Sequence, residues 1–122
     1  MSAVTGTTAG GPAGRAVLSH FSVMVKGKSQ VFASGPPLVE RALGMKIGKE
    51  ELGGSKVTVD TAGTVDNVAR DELEAIAMIR RCLGFLPQNV WQLPPIGPRD
   101  DPPSRREEAL LDIVPRNRRA PY

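Results

Sequence analysis

Two adjacent glycines, Gly10 and Gly11, precede a stretch with helical character, and they constrain the fold more than any other feature of the chain. Pro12 suits the first position of that helix, because its φ is fixed near the helical value and its missing N–H would have no partner there. The first amides of a helix lack internal acceptors and lie at the positive end of its dipole. The turn is therefore predicted to bind an anion or oxyanion. Such a turn normally follows a strand that has neighbours, and few residues precede Gly10 to supply them.

Composition narrows the class of protein. With 13 Gly and 11 Pro among 122 residues, the core is expected to be modest. The net charge is +3, and the basic residues are dispersed except near the C-terminus, so no nucleic-acid partner is expected. The one cysteine, Cys82, excludes an internal disulfide and fits a reducing compartment. No run of 18 apolar residues and no secretory-signal pattern occurs, which predicts a soluble, cytoplasmic protein without a membrane partner.

Short helical and strand-like patterns alternate along the chain and predict an α/β fold. Strands are expected at 21–25 and 30–33, joined by a bend, and at 56–60; helices at 12–19, 37–43 and 69–86; single helical turns at 49–52 and within 106–114. Gly44 is expected to cap the second helix. From Pro94 onward, the density of proline predicts a linker or a tail on the surface. Cys82 falls on the apolar face of the 69–86 helix and is predicted to be a small buried side chain.

Side chains that could carry catalysis or bind a metal are scarce. His20 is the only histidine and is predicted to be structural or on the surface. Because His20 and Cys82 stand alone, no metal site is expected in this chain. Adjacent residues on a helical turn point in different directions, so Glu50 and Glu51 are predicted to be solvated rather than a catalytic pair. The basic cluster 116–119 is predicted to be solvated, with phosphate binding as the alternative.

The order of several motifs gives a specific resemblance. The motifs are Thr8–Gly11, Phe21–Val25, Val31–Val39, Glu51–Gly54, Ser55–Val65, Phe85–Pro87, Asp112–Pro115 and Ala120–Tyr122. In this order they closely resemble the carboxyltransferase subunit, or beta chain, of biotin-dependent acyl-CoA carboxylases of the acetyl- and propionyl-CoA type. The resemblance implies an incomplete crotonase-like fold of stacked ββα units. It also implies that residues 1–93 are the second half of an N-terminal domain and that 94–122 are a Pro-rich connector towards an absent C-terminal domain.

The resemblance also implies an activity. In the family, a carboxyl group passes from carboxybiotin, held on a partner carrier domain, to the α-carbon of a short-chain acyl-CoA through an enolate. The backbone N–H groups of Gly10 and Gly11 would be the oxyanion donors for the acyl-CoA. The implied partners are acyl-CoA, a biotin carboxylase or biotin carrier subunit, and further copies of the full-length subunit as a homo-oligomer. No residue of this chain is assigned to the cofactor, and the isolated chain is expected to be inactive.

Two histidines common in the family are missing here. The stretch after Glu51–Gly54 reads Ser55–Val59 and the later stretch reads Gly63–Asn67, with no histidine in either. The identity of the acyl group that the enzyme carboxylates therefore stays open. Two alternatives also stay open: a subunit of a biotin-dependent acyl-CoA decarboxylase, and a non-catalytic module that binds CoA or assembles with other subunits. The glycine pair itself has a plainer alternative, a tight turn before a helix.

Overall fold

The computed structural model describes residues 1–121 of the chain. It alternates short strands and helices, as expected for an α/β fold. The elements are β1 (Ser2–Val4), β2 (Thr7–Ala9), α1 (Gly11–Val17), β3 (Ser22–Val25), β4 (Gln30–Phe32), α2 (Pro36–Leu43), α3 (Lys49–Gly53), a π-helix (Lys56–Thr61), β5 (Asn67–Ala69), α4 (Glu72–Leu83) and a 3₁₀-helix (Glu108–Asp112).

The strands form two separate parallel sheets. One sheet has the order β1-β3-β5, and the other pairs β2 with β4. Each unit of chain sends its first strand to one sheet and its second strand to the other, followed by a helix: β1-β2-α1, then β3-β4-α2, with β5 beginning a third unit. The ββα arrangement implied by the resemblance is therefore present, although the sequence contains no visible repeat.

The glycine turn obtains its neighbours from the chain that follows it. β2 pairs with β4, placing Thr7 opposite Gln30 and Ala9 opposite Phe32. The expectation that too few residues were available to give this turn a neighbouring strand is therefore wrong. The two strands predicted at 21–25 and 30–33 are confirmed as β3 and β4. They belong to different sheets because a tight turn, with Gly27 at φ 67°, redirects the chain between them.

The core is built from small side chains, which fits the composition. One cluster lies under α1 and contains Val4, Ala13, Ala16, Met24, Val31 and Val65; another lies under α4 and contains Val23, Val25, Ala69 and Ala75. All four residues of the central strand β3 are buried. Alanines on the inner faces of α1 and α4 let both helices approach the strands closely.

The strand predicted at 56–60 is wrong, because these residues form the π-helix. Gly54 has an extended backbone and ends α3, and the N–H groups of Val57 and Thr58 then donate to its carbonyl at 3.0 Å each, so a new helical turn begins there. The Thr58 hydroxyl also donates to that carbonyl, at 3.1 Å, and Thr58 is buried. Hydrogen bonds within the segment thus satisfy backbone groups that the alternating sequence pattern had predicted to pair with another strand.

The helix predicted at 69–86 is shorter than expected. Ala69 belongs to β5 (Asn67–Ala69) rather than to the helix, because it pairs with Val25 of β3. α4 begins at Glu72 with Asp71 as its N-cap, and it ends at Leu83. Cys82 is only partly buried, contrary to the prediction, because α4 rests on the sheet through Ala75 while the side chains near its C-terminus remain exposed.

Charged side chains fix the beginning of α4. The carboxylate of Asp71 accepts a hydrogen bond from the backbone N–H of Glu74 at 2.8 Å. The Glu74 carboxylate accepts from the backbone N–H of Arg70 at 2.6 Å and from its guanidinium at 2.9 Å. The side-chain hydrogen bond from Arg70 lowers the pKa of Glu74, and that from Lys28 lowers the pKa of Glu72. The Arg70–Glu74 and Lys28–Glu72 pairs therefore favour the helix start above the ordinary carboxyl pKa and weaken as the pH falls through the lowered pKa values of Glu74 and Glu72.

Asp71→Ala should lower the free energy of unfolding by about 1 kcal/mol, because the N–H of Glu74 loses its capping acceptor. Urea unfolding at neutral pH measures the change. Asp100→Ala, which removes an exposed carboxylate from the Pro-rich tail, is the control and should leave stability unchanged. Equal effects of the two substitutions would contradict a capping role for Asp71.

The segment from 94 to 121 lies outside the sheets and their helices. Almost all of its residues are exposed, and its one regular element, the 3₁₀-helix, falls within the predicted 106–114 stretch. Tyr122, the last residue of the Ala120–Tyr122 motif, lies outside the described residues. None of the helices in residues 1–121 is long and apolar enough to cross a membrane.

Candidate active site

The glycine turn lies between the end of β2 and the start of α1. Gly10 has φ 65° and ψ −132°, a backbone conformation open to glycine and strained for other residues. Its N–H donates to the carbonyls of Phe32 and Ala33, at 3.2 and 3.1 Å. Gly10 therefore anchors the turn to the end of β4.

The first turn of α1 leaves backbone donors available. The first bond of the helix runs from the N–H of Gly14 to the carbonyl of Gly10, at 3.1 Å. Pro12 has no N–H, and the N–H groups of Gly11 and Ala13 make no hydrogen bond within residues 1–121. Apart from its chain neighbours and the backbone of α1, a Cβ at Gly11 would have no atom within 4 Å. Of the two predicted donors, Gly11 is free and Gly10 is engaged.

An apolar cavity of about 360 Å³ adjoins the turn. Its walls include Gly10 and Ala13 on one side and Val31, Phe32 and Ala33 on the other. Thr64 also borders it, but its hydroxyl already donates to the Thr58 carbonyl at 3.0 Å. A small apolar group could therefore lie against Gly10, the residue before Gly11, with little competition from polar side chains.

A polar network supports the strands that carry the turn. The amide of Gln30 accepts from the Thr7 hydroxyl at 2.7 Å and donates to the carboxylate of Glu50 at 3.0 Å. Close by, α3 approaches β4 so tightly that a Cβ at Gly53 would lie 2.3 Å from the carbonyl oxygen of Val31. Sequence reasoning missed this support. The adjacent glycines at 53 and 54 were the only available signal of a close backbone approach.

The other candidate side chains stay apart. His20, Glu51 and the 116–119 cluster are exposed, and Glu50 is also exposed although it holds Gln30. Within residues 1–121, no three His, Cys, Asp or Glu side chains come close enough to hold a metal ion. The polar groups that the turn leaves available to a ligand are therefore the backbone N–H groups of Gly11 and Ala13.

Comparison with known proteins identifies relatives along the whole chain. The family model described as the carboxyl transferase domain matches residues 1–122. The alpha subunit of methylmalonyl-CoA decarboxylase from Veillonella parvula is 35% identical over 122 residues. The propionyl-CoA carboxylase beta chain of Roseobacter denitrificans is 34% identical over 122 residues. Each alignment covers 100% of this chain and 24% of the relative, so the chain spans about a quarter of these curated relatives.

Solved structures agree with the sequence relatives. Transcarboxylase 12S, described as a hexamer with methylmalonyl-CoA and methylmalonic acid bound, matches 93% of this chain and 22% of its own chain, with a TM-score of 0.71 and 31% identity. The beta subunit of P. aeruginosa geranyl-CoA carboxylase matches 78% of this chain and 17% of its own, with a TM-score of 0.63 and 34% identity. These are carboxyltransferases of crotonase-like fold, and the parallel ββα units seen here agree with that fold. The chain therefore belongs to the carboxyl transferase domain family.

Proposed function

We propose that this chain is part of a carboxyltransferase that moves a carboxyl group from carboxybiotin to the α-carbon of a short-chain acyl-CoA. Family membership and the activities for which the relatives are named support the reaction class. The observation that carries the proposal is the glycine turn: the N–H of Gly11 makes no hydrogen bond within residues 1–121, and the preceding residue, Gly10, lines an apolar cavity. A thioester carbonyl bound at this turn would lie close to the cavity, because Gly10 and Gly11 are consecutive residues.

In this proposal, the glycine turn stabilises the enolate oxygen of the acyl-CoA. A donor aimed at such an oxygen is typically worth about 3 kcal/mol in the transition state. The N–H of Gly11 can act without rearrangement. The N–H of Gly10 could act as a donor only after leaving the carbonyls of Phe32 and Ala33. We therefore assign donation first to Gly11 and assign to Gly10 the shape of the turn.

The remainder of the proposal concerns parts of the protein outside this chain. Carboxybiotin supplies the carboxyl group, and no residue of this chain is assigned to hold it. Residues 1–93 would be the second half of an N-terminal domain, and 94–122 would connect it to a C-terminal domain. The partners would be a biotin carboxylase or biotin carrier subunit and further copies of the full-length subunit. The hexamer described for transcarboxylase 12S supports a homo-oligomer, and the single cysteine supports a cytoplasmic location.

A decarboxylase is the second candidate. The methylmalonyl-CoA decarboxylase alpha subunits of Veillonella parvula and Propionigenium modestum are 35% and 34% identical to this chain. Decarboxylation would use the same enolate, with the carboxyl group moving away from the acyl-CoA. The glycine turn would serve both directions equally, because it contacts the oxyanion rather than the carboxyl group.

Carboxyl transfer can be tested with the full-length subunit that contains this chain. The subunit is combined with biotinylated carrier, biotin carboxylase, ATP and labelled bicarbonate, and label is measured in acetyl-CoA and propionyl-CoA. We expect incorporation into at least one of them. Transfer of the carboxyl group from methylmalonyl-CoA to uncarboxylated biotinylated carrier, giving propionyl-CoA and carboxybiotin, without incorporation in the forward assay, would favour the decarboxylase. Assembly with the partners but no turnover in either direction would indicate a non-catalytic module.

A further inference from the structure

The position of the glycine turn depends on β4. The only hydrogen bonds of the Gly10 N–H within residues 1–121 run to the carbonyls of Phe32 and Ala33, at the end of this strand. β4 has three residues and pairs with a single strand, β2. So short a ladder is marginal by itself. Whatever holds β4 in place therefore also sets where the N–H of Gly11 points.

Gln30 connects β4 to two neighbouring elements, β2 and α3. Its side chain is on β4 and lies opposite Thr7 of β2, while Glu50 belongs to α3. Gln30 is 8% exposed, and both ends of its amide are used: the oxygen accepts from Thr7 and the nitrogen donates to Glu50. The backbone bond at the same level, from the Gln30 N–H to the Gly6 carbonyl, is long at 3.4 Å. The side-chain bonds therefore add to a backbone pairing that is weak at this position.

We propose that Gln30 is a positioning residue for the glycine turn. It contacts no substrate. Instead, its amide locks β2 and β4 to α3, so that the carbonyls of Phe32 and Ala33 hold Gly10 and the N–H of Gly11 stays aimed at the oxyanion. This role rests on the proposed function. The positioning role also predicts that the hydrogen bond between residues 30 and 50 must be present, whereas which of the two side chains donates matters less.

An exchange of charge between two residues tests this point. Gln30→Glu replaces the donor with a second carboxylate 3.0 Å from that of Glu50, so the bond is replaced by repulsion. Adding Glu50→Gln restores a donor and an acceptor with the polarity reversed. The Thr7 hydroxyl can donate to a carboxylate as well as to an amide oxygen, so its bond survives in both variants.

In the full-length subunit, Gln30→Glu should lower kcat for carboxyl transfer about tenfold and leave KM for acyl-CoA within about twofold, because a misaimed donor affects the transition state more than binding. The double variant should recover kcat to within about threefold of the parent. An unchanged kcat in Gln30→Glu would overturn the proposal. A fall in kcat together with a rise in KM, and no recovery in the double variant, would also overturn it.

Hydrogen–deuterium exchange of the same proteins gives a readout independent of turnover. The amide of Gly10 should exchange about tenfold faster in Gln30→Glu and return to the parent rate in the double variant. The amide of Lys26, which donates to the Ala69 carbonyl in the other sheet at 2.9 Å, should be unchanged. Faster exchange at both amides would indicate general destabilisation and contradict the proposal. A parent subunit without carboxyl transfer would refute the proposed function, while the exchange rates would still decide whether Gln30 positions the turn.

Discussion

Gly53→Ala should lower the free energy of unfolding by about 3 kcal/mol, at the upper end of what overpacking costs. A Cβ at this position would lie 2.3 Å from the carbonyl oxygen of Val31 and 2.8 Å from the ring of Phe32. The nearer atom belongs to the backbone of β4, so it cannot be relieved by a change of rotamer. Either α3 must retreat from the sheet or β4 must shift.

Urea unfolding of the parent and the variant measures this effect. Gly14→Ala is the matched control, because it adds the same methyl group at a position where no atom lies within 4 Å. Gly14 is inside α1, so alanine should raise stability by about 0.5–1 kcal/mol through helix propensity. Similar stabilities for the Gly53 and Gly14 variants would show that α3 does not need its close approach to β4.

The elements with local end signals were predictable from the sequence. Pro37 and Gly44 predicted both ends of α2; the helix begins one residue earlier, at Pro36, and the structure places Gly44 in the left-handed conformation at φ 68°. The short helix before Gly53 and Gly54 is likewise confirmed as α3. In each case, a residue with restricted or unusual backbone freedom determines where the helix begins or ends.

The sheets were not predictable in the same way. The five strands have three or four residues each, so their existence depends on partners about 20 or more positions away along the chain. Residues 67–69 pair with β3, although the predicted helix began at Ala69, while 56–60 alternate like a strand but form the π-helix. The stacking of ββα units was expected only through the family resemblance.

The candidate site was predictable in part. The glycine pair indicated a backbone donor turn, and the free N–H of Gly11 is compatible with that prediction. The anchoring of Gly10 to β4 and the bonds of Gln30 depend on the register between β2 and β4. No local pattern encodes that register in strands of three residues, because alternation over so short a run does not specify pairing.

Gly11→Val should reduce kcat for carboxyl transfer about 100-fold, the range observed when one oxyanion donor is lost. The space beside Gly11 is open, and its backbone is not in the left-handed region, so the chain can accept a side chain there. The new Cβ is bonded to the same Cα as the donor nitrogen. A branched side chain would therefore crowd the oxygen that the N–H must reach, so the loss should fall on the enolate rather than on binding of acyl-CoA.

Steady-state kinetics of the full-length subunit separates the two effects. KM for acyl-CoA should remain within about threefold of the parent, because the lost interaction belongs to the transition state. Gly11→Ala, with a smaller side chain at the same open position, should give an intermediate loss of kcat and shows whether the effect grows with side-chain volume. Both variants should unfold within about 1 kcal/mol of the parent. Equal losses in kcat and in acyl-CoA affinity would refute the oxyanion role, because a donor that acts only on the enolate cannot weaken ground-state binding to the same extent.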